Sequence, residues 1–339
     1  MGTDGLDQLY VRHIETLMRR ADQALAGAGF DVLAIHSGSP PVQFLDDQDY
    51  PYKVNPHFKA WVPVLDNPHS WLIYAPGGRP KLLFYQANDY WHKPAAIPRE
   101  SWTDAVEVIP IANPEDARRH WAASGRVALI GSPESFEETD GDCVNPPDLL
   151  ARLHFDRAVK TEYELACLRR ANELGARGHR AALAAFREGA SEYAAHMRYL
   201  EACGQREEEM PYNNIVAYNE NAAVLHYQRL ERETPRPLRS FLIDAGAQYR
   251  GYAADITRSY AAESNAFGEL IDAMDKTQLE LCGEILAGRD YREVHLTAHR
   301  LLGDVLHRVG LTKLGGQAAV EAGLTGVFFP HGIGHLLGL

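Results

Sequence analysis

Two aspartates, Asp244 and Asp255, stand in a stretch of chain that is otherwise apolar or turn-forming. Phe241-Leu242-Ile243 reads as a buried strand and delivers Asp244 straight out of its hydrophobic run; residues 252–260 read as the returning strand and carry Asp255. Gln248-Tyr249-Arg250-Gly251 between them reads as a tight turn, with Gly251 free to take a positive φ. A turn centred between Tyr249 and Arg250 sets Asp244 directly opposite Asp255 on one face, with Cβ atoms about 5 Å apart, where like charges repel. A divalent cation would remove that conflict. The plainer alternative is that both carboxylates end their strands in water.

His331-Gly332-Ile333-Gly334-His335 is a second candidate. Pro330 and the two glycines favour a looped backbone that can approach a ligand closely, and neutral imidazole is a ligand for borderline metals. His226, in Leu225-His226-Tyr227, reads either as a core histidine or as one positioned to polarise a carbonyl. The remaining candidates read as structural. His295 and His299 are four apart on a helix but lack the glutamate of HExxH, so a solvated face is expected, and Glu207-Glu208-Glu209 reads as a wet loop. No GxSxG, phosphate-binding loop or dinucleotide fingerprint occurs.

These residues must be positioned by a chain of 339 residues, long enough for two domains. The first part alternates strands and helices: a helix over 6–26, strands over 30–37, 71–75, 81–85, 106–111 and 127–130, and a helix near 114–123. Residues 38–63 are too polar and too rich in proline for regular structure. The pattern then turns helical, with Thr161 and Glu164 spaced as a capping box ahead of an apolar stripe. A helix over 191–203, a strand over 214–218, the aspartate hairpin and helices over 266–287 and 291–309 follow, then a glycine-rich end. The boundary is expected at 157, giving domains 1–156 and 157–339. A net charge of −12 without a basic run argues against a nucleic-acid binder. No window of about 18 apolar residues suggests a membrane span. The N-terminal stretch has no signal-peptide core, and the four dispersed cysteines form no disulfide framework, so a reduced, cytoplasmic protein is expected.

Three segments, NNIVAYNENAAVLHY (213–227), IDAGAQYRGYAADITRSY (243–260) and FFPHGIGH (328–335), supported by KTEYELACLRRAN (160–172) and YKVNPHFKAWVPV (52–64), resemble the creatinase-type "pita-bread" metallopeptidases, and within them the bacterial Xaa-Pro dipeptidases, the prolidases. The resemblance implies an α/β N-terminal domain of the creatinase kind followed by an α+β pita-bread catalytic domain, and hydrolysis of Xaa-Pro dipeptides by two divalent cations, Mn²⁺ in such relatives. It assigns Asp244, Asp255 and His335 as metal ligands, His226 and His331 as groups contacting substrate and transition state, and Tyr212 and Tyr291 as walls of the substrate pockets. It also assigns Asp47 as a residue reaching the partner subunit's active site, which implies a homodimer. The two glutamates and the further histidine that complete such a site are absent from this sequence. The expectation is therefore an incomplete, truncated catalytic domain with little or no activity and weak metal binding. The other function class is a pita-bread protein that binds peptides without cleaving them; the three ligand residues favour the enzyme.

Overall fold

The structure, a computed structural model, describes residues 3–121, 125–136, 141 and 143–339. Helix α1, Thr3–Ala28, turns Tyr10, Ile14, Leu17, Ala21 and Leu25 to one side, and all five are buried. They pack on a five-stranded sheet of β1 (Val32–His36), β2 (Trp71–Tyr74), β3 (Lys81–Tyr85), β4 (Glu107–Ile111) and β5 (Val127–Ile130), in the order β4-β3-β2-β1-β5. Strands β1, β2 and β3 pair antiparallel, and the two outer pairings are parallel. Side-chain alternation divides the sheet cleanly. Leu33, Ile35, Leu72, Tyr74 and Leu82 face α1, while Ala34, Trp71, Ile73, Leu83 and Leu129 meet Trp121 on the other side.

Two details depart from the sequence patterns. The stretch read as irregular contains α2, Pro56–Trp61, because Asn55 caps it, accepting from the His57 amide at 2.9 Å, and Pro56 starts it. Near 114–123 the helix is a 3₁₀ run, Pro114–His120, with residues 122 and 123 outside the described ones.

Helix α3 (Pro147–Arg157) returns against α1, and a short link leads to α4 (Glu162–Arg187). The capping box forms as its spacing predicts: Thr161 Oγ1 accepts from the Glu164 amide at 3.3 Å and Glu164 Oε2 accepts from the Thr161 amide at 2.8 Å. Helices α4 and α5 (Glu192–Cys203) cover an antiparallel sheet of β6 (Ile215–Tyr218), β7 (Ser240–Ala245) and β10 (Ile256–Ala261), ordered β10-β7-β6. Between β7 and β10 runs a two-stranded ribbon, β8 (Gln248–Tyr249) and β9 (Tyr252–Ala253). Helices α6 (Ala266–Gly283) and α7 (Tyr291–Arg308) follow. Two short helices, α8 (Gly316–Glu321) and α9 (Leu324–Phe328), occupy the end read only as glycine-rich.

The hairpin register corrects the sequence reading. Gln248 pairs with Ala253, Tyr249 with Tyr252, and Asp244 with Thr257 rather than Asp255. The turn is Arg250-Gly251, with φ of 51° and 87°, the pair of positive angles a two-residue hairpin with the correct twist requires. Asp255 lies in the break between β9 and β10, unpaired in the ladder. The hairpin tip is fixed by the N-terminal core together with the start of α4. Tyr252 is buried in the N-terminal core, donates to Glu164 Oε1 at 3.2 Å and meets Tyr163 edge-on. Lys59 Nζ donates to the Gly251 carbonyl at 3.1 Å. The shift moves each partner by two positions, and side chains alternate with period two, so the two aspartates keep to one face. Among the described residues no helix is long and apolar enough to cross a membrane.

Candidate active site

Strand β7, the central strand of the sheet, carries Asp244 near its end, and the backbone then has to pass very close to its returning partner. Gly246 makes this possible: a Cβ there would lie 2.2 Å from the Ala254 carbonyl oxygen and 2.8 Å from Cε1 of Tyr212. That approach brings Tyr212, from the segment between α5 and β6, over the hairpin. Its hydroxyl lies 2.9 Å from Asp244 Oδ1 and 2.8 Å from Asp255 Oδ1. Direct cross-strand opposition does not join the carboxylates; they converge on one phenol. Burial, followed by the charges of Asp244 and Asp255, pushes the Tyr212 hydroxyl far above its ordinary pKa, so it stays protonated and offers a single proton to two acceptors.

His335 completes the cluster. Its Nε2 lies 3.2 Å from Asp255 Oδ2 and its Nδ1 lies 3.0 Å from the Leu336 carbonyl oxygen. A proton on Nδ1 satisfies that carbonyl and, in the neutral ring, leaves the Nε2 lone pair aimed at a carboxylate, the tautomer a metal-ligating histidine uses. Carboxylate oxygens and an imidazole nitrogen suit hard to borderline divalent ions, and the excess of lone pairs over protons here fits a cation. The set is partial: among the described residues no three His, Cys, Asp or Glu side chains gather closely enough to hold a metal ion.

The other sequence candidates fall around this cluster to different degrees. Tyr291 begins α7, and its hydroxyl would be 3.1 Å from a Cβ on Gly334, so it borders the His331–His335 segment, which is looped as expected. His331 is exposed, with Nδ1 3.0 Å from the Gly332 carbonyl oxygen and its ring edge-on to Phe329 at 4.9 Å. His295 and His299 correct the expectation of a solvated face: both are half-buried behind Phe329, at 5.9 and 5.1 Å between ring centroids, and His299 Nδ1 lies 3.0 Å from Thr325 Oγ1. Helix α9, absent from the sequence reading, supplies that threonine. His226 is exposed on the loop after β6 while its neighbour Tyr227 is buried, so it is not a core histidine. Asp47 lies on an exposed loop of the N-terminal domain, its amide donating to Asp46 Oδ1 at 2.7 Å; among the described residues no hydrogen bond or ion pair joins it to the aspartate cluster.

Sequence reasoning missed two features. Glu207, read as part of a wet loop, holds the buried His196 through Oε2 at 2.9 Å. A cleft of about 1180 Å³ opens between the domains, lined by Lys53, His57, Lys59 and Arg206 among others, and neither aspartate nor His335 lines it. Burial and the nearby Arg157 and Lys53 charges push Lys59 down to about 8 there.

An α/β domain followed by helices covering an antiparallel sheet, with two aspartates converging at the break in its hairpin, is the architecture of a pita-bread metallopeptidase. The chain belongs to metallopeptidase family M24, whose model matches residues 166–339; residues 8–155 match the model of the Xaa-Pro dipeptidase N-terminal domain. It is 49% identical over 343 residues to the Xaa-Pro dipeptidase of Xanthomonas campestris pv. campestris (strain 8004), covering 100% of this chain and 77% of that protein. It is 48% identical over 335 residues to that of Stenotrophomonas maltophilia (strain K279a), covering 98% and 75%. Among solved structures it is similar in fold to zinc-substituted Escherichia coli aminopeptidase P in complex with product, with a TM-score of 0.74 and 20% identity over 96% of this chain and 80% of that one.

Proposed function

We propose that this chain is an Xaa-Pro dipeptidase, hydrolysing the bond between a residue and a C-terminal proline. The observation that carries the reading is the convergence of Asp244 and Asp255 on the Tyr212 hydroxyl with His335 against Asp255; relatives 45–49% identical and bearing that name support it. Asp244, Asp255 and His335 would hold two divalent ions, Mn²⁺ by resemblance. Such ions supply the positive charge that makes water a nucleophile near neutral pH and polarises the scissile carbonyl. The proline nitrogen has no hydrogen to offer, so recognition runs through the carbonyl and the leaving nitrogen. His226 and His331 donate to the oxygen on which charge develops, and Tyr212 and Tyr291 wall the substrate pockets. Asp47 reaches the site of the partner subunit in a homodimer. The protein works in the cytoplasm, and the domains divide at 156/157, just before the link from α3 to α4.

Asp244, Asp255 and His335 are three ligands, fewer than two divalent ions usually take. The absence of a three-donor cluster among the described residues also favours a second reading, peptide binding without cleavage. Incubation with glycyl-proline and Mn²⁺ separates the two. Slow, Mn²⁺-dependent release of proline that Asp244→Ala abolishes supports the dipeptidase. Calorimetric binding of the dipeptide without turnover, unchanged in Asp244→Ala, supports the binder. Neither turnover nor binding would sink both.

A further inference from the structure

The segment from Asn219 to Leu230 carries His226, yet little apolar packing holds it. Val224 and Leu225 are 55% and 67% exposed; Tyr227, with Ala222 partly buried, joins the small cluster with Ile215, Ala217 and Leu242, and Leu230 at the far end packs against the core beneath α4 and α5. Asn219 ties its start to Pro237, Arg239 and Ser240, and the part around His226 is fastened by a carboxylate from another element. Glu192, the first residue of α5, is 1% exposed. Its Oε1 accepts from the Tyr218 amide at 2.7 Å and from Asn221 Nδ2 at 2.9 Å; its Oε2 accepts from the Tyr227 hydroxyl at 2.7 Å and the Glu231 amide at 2.8 Å. Asn221 Nδ2 also donates to the Tyr227 hydroxyl oxygen at 2.9 Å, and the Tyr193 amide donates to the Glu231 carbonyl at 3.1 Å.

We propose that Glu192 is a positioning residue that sets the place of His226, a role that rests on the reading of His226 as a group contacting substrate. The four bonds grip the segment where it leaves β6, at Asn221, at the residue after His226, and where it ends. A buried carboxylate with this many donors is satisfied only when all of them arrive together, because each lost donor leaves an acceptor unpaired away from water. The segment therefore has one low-energy arrangement. Its histidine is presented on an exposed tip by anchors on both sides, with no close packing of its own. Burial, then the Glu192 charge, pushes the Tyr227 hydroxyl far up, so it remains a donor to Glu192 throughout the working range.

Glu192→Gln keeps the side-chain shape but turns one oxygen into a donor facing other donors, and Tyr227→Phe removes the hydroxyl beside His226 with its two bonds, to Glu192 and from Asn221. Hydrogen exchange read on the full chain is expected to rise about tenfold or more at the Tyr218 and Glu231 amides in Glu192→Gln, and in Tyr227→Phe at the Glu231 amide, with α4 and the N-terminal sheet unchanged. Turnover of glycyl-proline with Mn²⁺, read as kcat and KM separately, is expected to lose roughly tenfold or more of kcat in Glu192→Gln, but nothing further when Glu192→Gln is added to His226→Ala. Exchange unchanged in both variants overturns the proposal, as does a Glu192→Gln loss of equal size with and without His226. If His226→Ala turns over like the parent while the segment loosens in Glu192→Gln, the assignment of His226 has failed and the anchoring has not.

Discussion

Nε2 of His335 stands 3.2 Å from Oδ2 of Asp255, while Nδ1 of the same ring is taken by the Leu336 carbonyl. An imidazole nitrogen and a carboxylate oxygen meet there, two groups that a divalent cation could bridge. With only part of a ligand set gathered, Mn²⁺ is expected to bind with a Kd on the order of 100 µM or weaker, and Asp255→Ala to remove that binding. Calorimetric titration checks this, and two tight ions per chain would contradict it.

The Tyr212 hydroxyl serves two carboxylates with one proton. Tyr212→Phe leaves both without that donor, so without metal the protein is expected to lose about 1–2 kcal/mol of stability. Removing the hydroxyl also frees both Oδ1 atoms, so Mn²⁺ binding should tighten. Thermal unfolding and metal titration of the same variant test the two halves; an unchanged midpoint and an unchanged affinity would show the contact to be idle.

Gly246 is fixed by space. A methyl group would strike the Ala254 carbonyl at 2.2 Å, and the bond from the Ala254 amide to the Ala247 carbonyl, 2.7 Å, holds the strands at that separation. Gly246→Ala is expected to cost roughly 3 kcal/mol and to displace Tyr212 from the aspartates. Unfolding midpoints compared with the parent give the measure, and a loss within experimental error would mean the strands part freely.

His36 is 4% exposed and packs on Trp71 at 4.7 Å between ring centroids. Burial, with a smaller push from His69, lowers its pKa to about 4. The unfolded chain takes up a proton near 6.5 that the folded chain refuses until about 4. Stability from this group is therefore complete above 6.5 and is lost as pH falls toward 4, on the order of 3 kcal/mol in all. His57, lowered to about 3, acts in the same direction. Denaturant unfolding between pH 7 and 4 should show a shallower acid limb in His36→Phe; an identical limb would refute the assignment.

Much of this protein was legible in the chain itself. The α1 stripe, the capping box at Thr161 and Glu164, the strands of the first sheet and the looped backbone at Gly332 and Gly334 follow from periodicity, capping chemistry and glycine, all local properties. The residue types at Asp244, Asp255 and His335 marked them as candidate ligands from the sequence alone. The turn of the hairpin was not legible. Tyr249-Arg250 and Arg250-Gly251 are both plausible centres locally, and the choice follows from Tyr252 entering the N-terminal core and Lys59 holding the Gly251 carbonyl, contacts made by residues far away in sequence. The same holds for the partial burial of His295 and His299 behind Phe329, and for Glu192 gathering four donors from the end of β6 and the segment after it. Sequence determined which groups are present and which local shapes they favour. Only the packing of the two domains and the covering helices decided that the aspartates meet through Tyr212, because a shared proton depends on fractions of an ångström set by the whole fold.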